Sequence, residues 1–159
     1  AELAGYGATF DAYDPLRFAP DGVQFARAMR LAIERSDLRP ADIDYVAADA
    51  HATLDGDRIE TQAIKAVFGD HAKELLISAP KATIGNLFGA TAPLDLITTV
   101  MAMRDGVVPP TINLTQPDPE CDLDYVPLKA RPAKIGAALV NARGRGGTNA
   151  AIVVKQFAG

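Results

Sequence analysis

The sequence predicts a mixed α/β fold in which helices pack on the faces of a β-sheet. Short apolar runs alternate with amphipathic segments along most of the chain, and two further apolar runs close it around a glycine-rich turn. Strands that alternate with helices are typical of parallel pairing, whereas two runs joined by a tight turn favour an antiparallel pair. The chain has 159 residues, 48% of them hydrophobic, which suffices for one packed domain.

The first half of the chain supplies the alternation. Residues 1–7 predict a strand that is already under way at the first residue, and because no initiating methionine is present we expect a fragment of a longer protein. Apolar residues at helical spacing from Phe25 to Ile33 predict an amphipathic helix. Residues 43–48 form a short apolar run bounded by aspartates, which favours a buried strand.

The rest of the chain is predicted to form two more helices and a closing hairpin. After a turn over residues 51–57, Asp57 and Glu60 resemble a capping box for a helix that ends at Gly69. Pro93 is expected in the first turn of a later helix, where its missing N–H costs nothing. That helix is marked by apolar residues from Leu94 to Met101 and is expected to stop at Gly106; if it instead begins near Gly85, Pro93 should kink it. The remaining predictions are strands over residues 75–78, 123–126, 135–140 and 150–155 and a rigid proline-containing connector over residues 107–111.

The charge and cysteine content of the chain argue against several kinds of function. A formal net charge of −4 argues against nucleic-acid binding, which requires a surplus of Lys and Arg. The single cysteine, Cys121, and the absence of a secretion signal in this sequence predict a soluble protein of the reducing cytoplasm. Acidic neighbours make Cys121 a poor nucleophile. His71 lies in a polar segment and is expected to be exposed, and no residues with metal-ligand spacing are present, so neither a metal nor a cofactor is expected.

His51 is the first candidate functional residue. It follows the predicted strand over residues 43–48 directly, and ligands of α/β sheets bind at the carboxyl ends of strands. Position alone favours an ordinary hydrogen-bonded turn histidine over a functional one.

Three motifs stand out in the sequence, Asp-Ala-His-Ala-Thr at residues 49–53, a Lys-to-Ala segment at residues 81–90 and the glycine-rich segment at residues 141–149. Together they resemble the β-ketoacyl synthases, enzymes of the thiolase fold that perform decarboxylative Claisen condensation. Residues 49–53, Asp-Ala-His-Ala-Thr, are similar to the family's Asn-Ala-His-Gly-Thr. Residues 81–90 are similar to Lys-Ser-x-x-Gly-His-Leu-x-Gly-Ala, and residues 141–149 to Asn-Ser-Phe-Gly-Phe-Gly-Gly-Thr-Asn. The resemblance covers only the C-terminal half of the thiolase fold. It implies a mixed five-stranded sheet with helices on its faces, one domain over residues 1–159, and an absent N-terminal half that bears the nucleophilic cysteine.

The resemblance also implies roles for individual residues. His51 matches the histidine that donates a hydrogen bond to the developing enolate oxygen, and Lys81 matches a lysine of the supporting polar network. Lys81 and Asp95 form either a buried ion pair or two solvated side chains. Asn86 replaces a second catalytic histidine, and its amide can donate a hydrogen bond but cannot exchange a proton near neutral pH. Loss of one such donor typically costs ~100-fold or more in rate.

The glycine-rich turn departs from the family in another way. Arg143 and Arg145 occupy the positions of two phenylalanines that gate the acyl pocket, beside Gly144, Gly146 and Gly147. A guanidinium facing a hydrocarbon tunnel is costly unless paired, so this turn cannot serve as the same apolar gate. The turn, and a loop after His51 that is shorter by two residues, resemble the chain length factors, which are the ketosynthase-like β subunits of bacterial type II aromatic polyketide synthases.

The resemblance implies a chain length factor whose own catalytic site is degraded. Such a subunit forms a heterodimer with a catalytic ketosynthase α subunit, shapes the polyketide tunnel and works with an acyl carrier protein. The alternative is an active β-ketoacyl synthase in which His51 supports decarboxylation and Asn86 supplies a second hydrogen bond. A third interpretation, a nucleotide-binding module built on the turn over residues 144–147, is weak because the turn lacks a P-loop lysine and a helix N-terminus. Without its N-terminal half, the chain is expected to fold incompletely or to self-associate.

Overall fold

The computed structural model describes residues 1–157, which form a mixed five-stranded sheet with helices on both faces. The sheet contains β1 (Glu2–Phe10), β2 (Tyr45–Ala47), β3 (Leu76–Ser78), β6 (Ala137–Gly144) and β7 (Thr148–Lys155), in the spatial order β1-β7-β6-β2-β3. A separate two-stranded ribbon pairs β4 (Val107–Val108) with β5 (Arg131–Pro132). The helices are α1 (Val23–Glu34), α2 (Leu54–Phe68), α3 (Lys81–Ile84) and α4 (Thr91–Asp105). The predicted fold class is confirmed.

Strand direction follows the predicted alternation. β2 is parallel to both β3 and β6, which are joined to it through helical segments, whereas β7 is antiparallel to both β6 and β1. The parallel strands place the carboxyl ends of β2, β3 and β6 at one edge of the sheet. That edge is where the candidate site lies.

Each face of the sheet has its own apolar core. Helices α1 and α2 cover one face, where Met29 and Ile64 pack against Leu139 of β6 in a fully buried cluster. Helix α4 covers part of the other face, where Met103 packs with Tyr45 of β2 and other buried residues. Two glycines of β1 make the first contact close, because a Cβ on Gly5 or Gly7 would overlap backbone carbonyl oxygens of α1.

The N-terminus of α2 corrects the predicted capping box. The N-cap is Thr53, whose Oγ1 accepts a hydrogen bond from the backbone N–H of Gly56 at 3.2 Å. Asp57 lies inside the first turn and accepts from the N–H of Ala52. Glu60 bonds instead to the backbone of the preceding connector, because its side chain is buried. The predicted helix end is confirmed, with Gly69 at φ 56°.

Two other predictions are wrong and several are confirmed. Residues 123–126 do not form a strand, because Val126 takes a left-handed φ of 43° that ends the extended run. His71 is half-buried, since its ring bonds to the carbonyl oxygen of Ile43. The helix α1, the antiparallel pair β6–β7 and Pro93 in the first turn of α4 are as predicted.

Several large apolar side chains are exposed among the described residues. Ile97 and Met101 of α4 are 55% and 47% exposed, and Tyr6 and Phe10 of the edge strand β1 are 52% and 57% exposed. Phe88, in the turn before α4, is 77% exposed. No helix within residues 1–157 is long and apolar enough to cross a membrane.

Candidate active site

A cavity of about 460 Å³ gathers most of the predicted site residues. It lies beyond the carboxyl end of β2, under the turn between β6 and β7. His51, Lys81, Asn86, Arg143, Gly144 and Arg145 line it. Gly146 and Gly147 line an adjoining cavity of about 230 Å³, which also includes His51 and Arg145. Residues that are up to 94 positions apart, from His51 to Arg145, therefore converge as the resemblance implies.

His51 is held on a short connector between β2 and α2. Its side chain is 32% exposed, and its Nδ1 lies 3.9 Å from Oδ2 of Asp49. The ring packs edge-on against Phe18, with centroids 5.0 Å apart and an interplanar angle of 89°. Ala50 and Ala52 on either side have φ of 41° and 60°. Ala52 therefore adopts the left-handed conformation that the glycine of the family motif would reach without strain.

Lys81 is part of a buried ion network. Its side chain is 8% exposed, and Nζ donates to the carboxylate of Asp49 at 2.8 Å and also to the backbone oxygen of Asp49. A carboxylate oxygen of Asp95, which is fully buried, lies 3.8 Å from Nζ. The solvated arrangement of Lys81 and Asp95 is therefore wrong, and the buried pair has a third member in Asp49.

Asp49 joins Lys81 and Arg143 in this network, and the family motifs give no indication of that role. Its carboxylate accepts from Lys81 and from both the backbone N–H and the side-chain Nε of Arg143, the latter at 3.0 Å. Burial opposes its ionisation, but the two adjacent cations outweigh burial and hold the pKa of Asp49 below its usual value. The only signal in the sequence is that an aspartate replaces the asparagine of the family motif.

Arg143 does not extend into an open tunnel. Its side chain is 1% exposed, and its guanidinium carbon lies over the rings of both Phe18 and Phe25, at 4.4 and 4.7 Å from their centroids. Nη2 donates to the backbone oxygen of Gly56 at 3.0 Å. The ion pair with Asp49 offsets the desolvation cost of burying the Arg143 guanidinium. Only the second arginine, Arg145, is exposed at the cavity.

Asn86 lies at the opposite wall of the cavity, in an exposed turn. Its Oδ1 accepts from the backbone N–H of Phe88 at 2.9 Å and from Oγ1 of Thr91 at 3.1 Å. These bonds fix the amide, and the NH₂ group remains as the donor that could face a bound molecule. The geometry provides a hydrogen bond at this wall but no group that carries a proton.

The glycine-rich turn is a hairpin turn. It joins β6 to β7, with Gly146 and Gly147 at φ 79° and 87°, and no helix begins there. A Cβ on Gly147 would crowd the side chain of Asp11. The feature that makes phosphate loops effective, the N-terminus of a helix, is therefore missing here.

Cys121 lies outside this cavity. It lines a separate cavity of about 360 Å³ with Tyr125, on the other side of the His51 connector. Burial, more than its acidic neighbours, raises the pKa of the Cys121 thiol. A thiol with a raised pKa is a poor nucleophile, in agreement with the sequence.

Asp95 gives the site a pH-dependent contribution to stability. Both carboxylate oxygens are buried without a hydrogen-bond partner among the described residues, and burial raises the pKa of Asp95 to about 6 although Lys81 lowers it. The pKa of an aspartate in an unfolded chain is about 4. Between about pH 4 and pH 6, Asp95 is therefore mostly protonated in the folded protein and mostly ionised in the unfolded chain. Stability from this group is present below about pH 4 and is lost as the pH rises through about 6.

We therefore expect the stability of the wild type relative to Asp95→Asn to fall between pH 4 and pH 7. Urea unfolding of both proteins across about pH 4 to 7 measures this difference, and groups with the same titration in both proteins cancel. A difference that is constant over this range, or that rises with pH, would contradict the prediction.

Comparison with known proteins identifies the family of the chain. The family model described as "Beta-ketoacyl synthase, C-terminal domain" matches residues 1–115. The chain is 43% identical over 157 residues to 3-oxoacyl-[acyl-carrier-protein] synthase 2 of Staphylococcus aureus (strain COL), and 40% identical over 156 residues to the protein of that name from Coxiella burnetii. These matches cover 99% and 98% of the chain but only 38% of each relative.

Solved structures show the same fold. A type II polyketide synthase acyl-carrier protein in complex with its ketosynthase bound to the hexaketide matches with a TM-score of 0.94 and 31% identity, over 98% of this chain and 38% of that one. The ishigamide ketosynthase/chain length factor matches with a TM-score of 0.92 and 34% identity, over 99% and 38%. The chain thus belongs to the β-ketoacyl synthase family, as its C-terminal domain.

Proposed function

We propose that this chain is the C-terminal half of a chain length factor, a ketosynthase-type subunit that shapes a polyketide tunnel beside a catalytic partner. The observation that carries the proposal is Asn86 at the wall of the cavity. A condensing site of the family uses two histidines, and here one of them is a fixed amide. The residues 1–159 form the ketosynthase-like C-terminal domain in this proposal.

The bonds of Asn86 support a passive role. Its oxygen is engaged by Phe88 and Thr91, so the side chain holds the turn before α4 together. An amide does not titrate near neutral pH, so it cannot exchange a proton during decarboxylation. His51 would have to perform that chemistry alone.

The arginine in the first gate position supports the same role. The guanidinium of Arg143 is fixed by Asp49 and by two aromatic rings, so it cannot swing as a gate does. A fixed side chain at this point makes a wall of constant shape. That is what a subunit that limits chain growth requires.

The exposed apolar side chains of α4 and β1 support the proposed association with an N-terminal half and a partner subunit. Exposed apolar residues on α4 and β1 would be buried by an N-terminal half of the same protein. A catalytic ketosynthase α subunit and an acyl carrier protein complete the proposed complex. Ketosynthases are solved with a chain length factor and with an acyl-carrier protein among the structural matches.

An active β-ketoacyl synthase is the second candidate. The relatives at 40–43% identity carry the name 3-oxoacyl-[acyl-carrier-protein] synthase 2. His51 and Lys81 both line the cavity, as an active site of this family would need. In this candidate the NH₂ group of Asn86 donates the second hydrogen bond.

An assay of malonyl carrier protein decarboxylation and condensation separates the two candidates. The full-length protein is measured alone and then with a catalytic ketosynthase subunit. A chain length factor is expected to be inactive alone, and in the complex Asn86→Ala should change the rate by less than about threefold while product length shifts. Rapid condensation by the protein alone, or a ~100-fold loss in Asn86→Ala, would favour the active synthase. Exposed Thr83→Ala, from the same segment, is the control.

A further inference from the structure

We propose that Arg143 is a positioning residue for His51 and acts on it through two shared neighbours, Asp49 and Phe18. This inference rests on the proposed function in one respect, namely that the cavity lined by His51 is a ketosynthase-type site, but its test does not depend on activity. Nothing in the resemblance suggests it, because the family has asparagine and phenylalanine where this chain has Asp49 and Arg143. These two departures from the family motifs meet each other in the structure.

The first route is electrostatic. Oδ2 of Asp49 accepts from Nε of Arg143 at 3.0 Å, and the same oxygen lies 3.9 Å from Nδ1 of His51. The guanidinium therefore compensates part of the negative charge that the imidazole faces. Because the Asp49 side chain is only 3% exposed, water screens this charge poorly.

The second route is through packing. One ring, Phe18, contacts the imidazole edge-on at 5.0 Å and carries the guanidinium carbon 4.4 Å from its centroid. Loss of the guanidinium frees one face of the Phe18 ring. The ring can then shift, and the imidazole that packs against it shifts as well.

Arg143 is rigid enough to transmit both effects. Nη2 donates to the backbone oxygen of Gly56 in α2, and the ring of Phe25 in α1 also packs against the guanidinium. The side chain thus links β6, the connector of His51 and the first turn of α2. Other charged groups at His51 are Asp57, Arg17, Arg145 and Lys81, and each comes from a different segment.

The test is the titration of His51 in the full-length protein, followed by NMR of labelled histidine rings. The variants are Arg143→Met, which removes the charge but fills the space beside the rings, Arg143→Lys, which keeps the charge, and the double variant Arg143→Met/Asp49→Asn. His51→Gln and His71→Gln identify the resonances of these two rings, since each variant removes one signal from the spectrum of the protein. His71 is the internal control, because its ring bonds to Ile43 and Glu74 instead.

The sign of each change is fixed by charge. Arg143→Met leaves the Asp49 carboxylate less compensated, so the titration midpoint of His51 should rise by at least ~0.5 pH unit. Addition of Asp49→Asn should return it to the wild-type value or below, and Arg143→Lys should move it less than Arg143→Met. The midpoint of His71 should stay constant in all three.

An unchanged His51 midpoint in Arg143→Met, or equal shifts in His51 and His71, would overturn the inference. If Arg143→Met does not fold, Asp49→Asn in the Arg143→Lys background decides the question, since a midpoint that does not fall there also overturns it. The readout needs no substrate. An inactive protein with the expected midpoints would therefore keep this inference whichever way the condensation assay turns out.

Discussion

Replacement of Asp49 by alanine is expected to destabilise the protein by roughly 3–5 kcal/mol, the usual cost of removing one member of a buried ion pair. Two cations, Lys81 and Arg143, share this carboxylate, and their side chains are 8% and 1% exposed. Without it, Lys81 keeps its bond to the backbone oxygen of residue 49, but its nearest remaining carboxylate is Asp95 at 3.8 Å. The nearest carboxylate left to Arg143 is Glu60 at 3.6 Å. Neither distance allows a hydrogen bond.

Urea unfolding at neutral pH measures this loss, and Asp105→Ala is the matched control. Asp105 pairs with Arg104 in a contact whose side chains are 50% and 68% exposed, so water replaces the lost partner. We expect the control to leave the unfolding midpoint almost unchanged. Equal effects of the two variants would show that the Asp49 network contributes no more than a surface pair.

Gly7→Ala is expected to cost on the order of 3 kcal/mol or more, although it adds a single methyl group. The new Cβ would overlap the backbone oxygen of Ala28 in α1, and backbone atoms cannot rotate away as a side chain can. Relief requires β1 to separate from α1 along the face that holds the larger core. The thermal midpoint and the urea midpoint should therefore both fall.

Gly89→Ala is the control for that substitution. No heavy atom among the described residues lies within 4 Å of a Cβ built at Gly89. Its unfolding midpoint should stay close to that of the wild type. If Gly7→Ala were as harmless, the close contact between β1 and α1 would have to be looser than the structure shows.

Local patterns predicted the elements well where one face is buried. The apolar spacing of α1 and the short run of β2 require only neighbouring residues to be compared. The sequence predicts a cap at Asp57, whereas α2 begins at Leu54 after the N-cap Thr53. Both residue types are good caps, and which of them serves depends on the buried position of Glu60. The segment around Val126 reads as a strand because its left-handed backbone has no side-chain signature.

Motifs are sufficient to name the candidate site residues, but not the partners that hold them in place. His51, Lys81 and Asn86 could be placed because their segments resemble those of a known family. The partnership of Asp49 with Arg143 could not be predicted, since it joins residues 94 positions apart across two parallel strands. The resemblance places Arg143 at a gate position of the acyl pocket, and the structure adds that its side chain is buried against Phe18 and paired with Asp49.

The members of the Asp49 network lie far apart in the sequence, and this separation affects when the cavity can form during folding. Its members come from the connector after β2, from α3, from α4 and from β6, so no short contiguous segment contains them. Contacts of such high contact order close late in folding, after the loops between them are restrained. Local opening of the C-terminal hairpin would dismantle the His51 wall as well, so the cavity exists only in the cooperatively assembled sheet.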